Sequence, residues 1–159
     1  MKFYHLSHDD SMDFIFPRVP VSRALYEESF IPRVCFAPSI NLCLTAKEPY
    51  SPDVFVVYIV DDPEFHPYFP TETQVPDVER TKEVWSLTPV DVKKVGIIKV
   101  LSEKLIKSKQ PDISADVLVY KWRWLHSNFK ILKLETKRWK VDGSIYDKRM
   151  KITAKQCKL

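Results

Sequence analysis

Only two glycines occur in 159 residues, Gly96 and Gly143, against twelve prolines. Loops that cradle phosphate need glycine wherever backbone must approach an oxyanion, so neither a Walker-type loop nor a dinucleotide fingerprint can be written here. Cysteine is also scarce. Cys35, Cys43 and Cys157 form an odd set with no CxxC spacing, which disfavours a disulfide framework and a structural zinc site and points to a reducing compartment. No apolar run approaches the roughly 18 residues of a membrane helix, and the N-terminus lacks the basic-then-apolar order of a signal peptide. A cytoplasmic protein is expected.

What is present suits one ordinary domain over residues 1–159. Hydrophobic residues make up 45% and aromatic ones 13%, enough apolar area to close a core at this length. The net charge of +4 conceals an asymmetry. Residues 119–159 hold twelve Lys or Arg against three acids, while residues 1–118 hold thirteen against eighteen. The basic end reads either as a surface for nucleic acid or an acidic protein, or as a solvated face that touches nothing.

Hydrophobic period and punctuation divide the chain. "KFYHL" predicts a first strand, and the Asp pair of "DDSMDFIF" predicts a helical turn. "VSRALYEESF" suits a short helix capped by Ser22. "VCFAPSINLCLTA" reads as strand, sharp turn and helix, with Ser39 as N-cap. "DVFVVYIV" is β-branched and aromatic throughout, the pattern of a central strand covered on both faces. Residues 61–80 then form a long proline-rich loop, and "EVWSLTPV" and "VKKVGIIKV" give two further strands, the second expected to bend at Gly96. In residues 113–131 a helical face (Ile113, Val117, Tyr120, Trp124) competes with a strand-like alternation (Tyr120, Trp122, Trp124), and we take the helix. "WKVDGSIYD" carries the Asp-Gly signal of a hairpin.

Most catalytic signatures are absent. His5 and His8 lie three apart on a strand and so point to opposite faces, which argues against a metal site with Asp9 and Asp10. There is no nucleophile elbow and no recognisable cysteine setting. Three pieces nevertheless occur in a telling order. They are a histidine in the first strand, "FYHLS"; the strand-turn-helix "VCFAPSINLCLTA"; and a glutamate opening a later strand, "KEVWSLTPV".

This order resembles the ADP-ribosyltransferase superfamily in its histidine branch, and within it the small ADP-ribosylating anti-CRISPR proteins of phages. The resemblance covers about residues 1–100. It implies an α+β fold with an ADP-ribosyltransferase-like split sheet over residues 1–110, two small sheets flanked by helices. Residues 111–159 would add a basic C-terminal helix and hairpin. It further implies NAD as substrate, no metal, and transfer to a macromolecular acceptor, protein or nucleic acid, in the manner of a counter-defence or effector protein. By position His5 would hold the nicotinamide ribose and Glu83 would be the catalytic carboxylate. Phe36 and Ser39 match the second motif. Arg18, Arg23 and Arg33 are candidates for the pyrophosphate, Arg23 first among them, and Phe36, Tyr50 and Tyr58 are candidates to stack on nicotinamide, because the tyrosine expected at the end of the second-motif helix falls at Thr45 or Ala46. The alternative is a non-catalytic module of the same architecture that binds a nucleotide, a nucleic acid or a defence protein.

Overall fold

The structure is a computed structural model that describes residues 2–21, 27–47, 53–107, 113–141 and 144–156. It is a mixed α+β protein, mostly strands, in which every strand pair described is antiparallel. Two compact units are distinguished, residues 1–48 with 56–95 and residues 49–55 with 96–159.

In the first unit β1 (Tyr4–Ser7) pairs with β4 (Asp53–Val60), placing His5 opposite Tyr58. β4 lies between β1 and β6 (Val90–Lys107), the interior position its apolar sequence predicts. β2 (Phe14–Ile15) adds to β6 through Phe14 and Asp91. The helical turn expected here does not form. Ser7 Oγ accepts from the Asp9 amide, and Asp9 Oδ1 accepts from both the amide and the hydroxyl of Ser11. These local bonds offer the backbone a turn in place of a helix.

A second, two-stranded sheet joins β3 (Val34–Phe36) to β5 (Val84–Ser86), with Cys35 opposite Trp85. Alternation gives this ribbon two unlike faces. Val34, Phe36 and Val84 enter a core with Phe3, Val56, Tyr58, Val90 and Val92, whereas Trp85 packs with Val75 and Val78, joined by the half-buried Cys35. After β3 the chain turns at Pro38 into α1 (Ile40–Lys47). The Ser39 hydroxyl and carbonyl both accept from the Leu42 amide, so the predicted N-cap is in place. Leu42, Cys43 and Leu44 are buried, and the Cys43 thiol donates to the Tyr4 carbonyl, which ties α1 to β1. The proline-rich segment ends in an unpredicted short helix, α2 (Val78–Thr81). Lys82 closes it in the left-handed region at φ 51°, donating its amide to the Val78 carbonyl, and this reversal delivers Glu83 to the start of β5.

In the second unit β6 from Gly96 onward pairs with β7 (Ile113–Trp124), β7 with β8 (Lys130–Val141) and β8 with β9 (Ser144–Gln156). The expected basic C-terminal helix over 113–131 is therefore wrong. Those residues form β7, a turn and the start of β8. The 3.6-residue match to a helix was an accident of a sequence dense in β-branched and aromatic residues, and partners on both sides favour the two-residue period. Residues 142 and 143 lie outside the described residues, but Val141 pairs with Ser144 across them, as the hairpin signal predicts. Of the helix expected over residues 21–30, positions 22–26 lie outside the described residues, and residues 27–30 are irregular rather than helical, with the Phe30 amide donating to the Glu28 carboxylate. The β6–β7 register shifts between Val100 and Ser102.

Candidate functional site

Cys35 is where the two principal sequence candidates meet. His5 reaches across from β1, and its Nδ1 lies 2.8 Å from the Cys35 carbonyl oxygen. A carbonyl only accepts, so Nδ1 carries the proton and, in the neutral ring, Nε2 carries the lone pair. The backbone explains why a side chain is used. β1 and β3 exchange amide bonds at Tyr4 and Ala37, and two residues further along β3 the imidazole takes the place of the next ladder donor. Its ring meets Phe36 edge-on at 5.8 Å. His5→Phe keeps that contact and removes the donor, so urea unfolding should show a loss of about 1–3 kcal/mol. An unchanged midpoint would mean that the bond carries no stability.

Glu83 approaches Cys35 from the other side. Its Oε1 accepts from Trp85 Nε1 at 2.5 Å, and the carboxylate lies close enough to the Cys35 thiol for each to shift the other's titration. Burial holds the Glu83 carboxyl above the usual carboxylate range, with the Trp85 bond and the nearby Cys35 thiol working against that shift. Burial and the neighbouring carboxylate push the Cys35 thiol well above its ordinary range. Cys35 is thus a neutral thiol and a poor nucleophile.

A third layer supports these groups. Arg33 is 1% exposed, pairs with Glu27, and donates to the Glu28 and Ile31 carbonyls at 3.0 and 3.1 Å. Its guanidinium lies 4.3 Å from the Trp85 ring centroid, and Tyr68 stacks on the same indole at 5.5 Å and 19°. Residues 33, 35, 83 and 85 therefore form one polar, largely buried face of the β3–β5 ribbon.

The remaining candidates are placed as follows. Phe36 and Tyr58 are core residues, fully or almost fully buried. The Tyr58 hydroxyl donates to the Asp9 carbonyl and accepts from the Met12 amide, and burial raises its pKa. Ser39 caps α1. Arg23 and Tyr50 lie outside the described residues. Arg33, a sequence candidate for the pyrophosphate, is instead buried and paired with Glu27. The sequence motifs do not point to Cys35 or Trp85, although "RVCF" and "EVWS" alternate polar and apolar positions in step, the signal that could have found them.

No match to this chain is found among models of known protein families, characterised proteins or solved structures. Among the described residues no group of His, Cys, Asp and Glu is arranged to hold a metal ion, and no helix is long and apolar enough to cross a membrane.

Proposed function

We propose that this chain is a mono-ADP-ribosyltransferase that uses NAD and modifies a macromolecular acceptor. The observation that carries the reading is the convergence of His5 and Glu83 on Cys35 from two different strands, with the carboxylate held in a desolvated setting. In the reaction the C1′–N bond to nicotinamide breaks and its electron pair leaves with the pyridine ring. The acceptor's lone pair then forms the new bond to C1′, and the acceptor proton passes to Glu83. A carboxylate in a site of low dielectric stabilises the positive charge that develops on the ribose far better than one in water. The His5 imidazole, whose orientation the Nδ1 bond sets, is the kind of group that suits a ribose hydroxyl without adding a permanent charge.

Nicotinamide release from NAD is the direct test. Glu83→Gln keeps shape and both neighbours and should cut the rate by about 10²–10⁴-fold. A wild-type rate retained in that variant would remove Glu83 from the chemistry. The same substitution has a stability signature. A carboxyl whose folded pKa is raised binds its proton more tightly in the folded state. Its contribution is thus complete below the unfolded carboxylate pKa and is lost as pH rises through the folded value. Glu83→Gln should melt higher than wild type at neutral pH, with the gap closing on acidification. A gap that widened toward acid would contradict the raised pKa.

A second reading, a nucleotide-binding module without turnover, is favoured by one feature. Phe36 and Tyr58 are packed in the core, so neither presents a ring face to nicotinamide. In that case nicotinamide release would be absent in wild type while NAD still raised the melting temperature.

A further inference from the structure

The four-stranded meander β6–β9 sorts its charge by face, which the sequence alone could not show. Cross-strand partners share a face, so the register can be followed through its two irregularities, at Val100/Ser102 in β6 and at Lys133/Glu135 in the β8–β9 pair. On one face Lys99, Lys121, Ile131 and Lys155 form a single row across all four strands, flanked by Arg123 and Lys133. Toward the far end the same face adds Lys104, Lys137 and Lys148. That makes eight basic positions, and the acid among the paired positions of this face is Glu135. Glu103, Asp116 and Asp147 all fall on the opposite face, where five basic positions, Lys107, Lys130, Arg138, Lys140 and Arg149, leave a much smaller positive excess.

On β6 the basic face is the one open to solvent: Lys99 is exposed, and its neighbours Ile98 and Val100, on the opposite face, are 0% and 2% exposed. Near the β7–β8 turn both faces reach solvent, with Arg123 half-buried on the basic face and Trp124 and Lys130 exposed on the other. Aromatic rings accompany the cations. The Lys99 ammonium and the Arg123 guanidinium lie 5.4 and 4.8 Å from the Phe129 ring centroid, and the Trp139–Tyr146 cross-strand pair falls on the same face at the other end.

We propose that this face binds single-stranded nucleic acid, with the lysine rows along the phosphates and the flanking rings as stacking partners for unpaired bases. Cations spaced about 5–7 Å apart along and across strands are an extended match for a polyanion. Aromatics beside them are the feature that favours unpaired bases over a duplex, whose bases are already stacked. The proposal does not rest on the transferase reading.

The test uses the full chain and a fluorescent 20-mer oligodeoxythymidylate, with anisotropy followed across a salt series. Wild type should bind with an affinity that falls steeply with salt. Replacing Lys121, Lys133 and Lys155 together by Gln should weaken binding at least about tenfold and flatten the log–log salt slope by about 2. The exposed single change Lys99→Gln should flatten it by about 0.7. Replacing Lys107, Lys130 and Lys140, which fall on the opposite face, should do far less. Three results would overturn the proposal: no binding at low salt, equal losses from the two triple variants, or tighter binding to poly-glutamate or to a duplex than to the single strand. Lys99→Gln, on an exposed side chain, keeps the test decisive if a triple variant fails to fold.

Discussion

Arg33→Met will lose about 3–5 kcal/mol in chemical unfolding, a large share of the roughly 5–15 kcal/mol that holds a domain together. The guanidinium is buried and its removal strands several partners at once. Glu27 keeps a charge with little water to solvate it, the Glu28 and Ile31 carbonyls lose their donors, and Trp85 loses the cation on its face. A buried group left unpaired costs more than the pair contributes. The double variant Arg33→Met with Glu27→Leu should therefore recover part of the loss, since it removes a carboxylate that has lost its guanidinium partner. The cycle formed by wild type, both single variants and the double variant measures the coupling. Strictly additive losses would show that the ion pair has no role in stability.

Trp85→Ala should be as damaging, about 3–5 kcal/mol. Trp85 is completely buried, and its indole is the shared wall of three interactions: the Tyr68 stack, the Arg33 contact and the hydrogen bond to Glu83. Trp85→Phe separates volume from hydrogen bonding. It retains most of the packing and deletes the Nε1 donor, so the stability loss should shrink to about 1–3 kcal/mol. The Glu83 pKa should rise further, because a bond that favours the carboxylate is gone. Carboxyl chemical shifts followed through a pH titration would report it, and an unmoved Glu83 titration in Trp85→Phe would show that the indole does not tune the carboxylate.

Both predictions concern residues that the motif order did not single out. The three sequence motifs drew attention to His5, the β3–α1 turn and Glu83. Their local settings are as expected: His5 sits in a strand, Ser39 caps a helix, and Glu83 directly precedes a strand. These features were legible because each depends on its neighbours in sequence, namely a run of β-formers around His5, a Pro-Ser before an apolar stretch, and the β-prone "VWS" that follows Glu83, whereas α2 and the left-handed turn at Lys82 were not. The same local logic misread residues 113–131. Tyr120, Trp122 and Trp124 follow a strand period while Ile113, Val117, Tyr120 and Trp124 follow a helical one. Only the pairing of β7 to β6 and β8 decides between them.

The basic end shows the division most clearly. That residues 119–159 are cationic is a property of composition and needs no structure. Which lysines share a face depends on register, and each one-residue irregularity in the pairing shifts the face of every residue beyond it. Likewise the sequence alone determines that Cys35 alternates with core residues in a short strand. Tertiary structure alone brings His5, thirty positions away, to its carbonyl and Glu83 to its thiol. Periodicity records which way a side chain points from its own strand, whereas a site is made by strands that meet through non-local pairing, and that pairing is set by the packing of the whole unit.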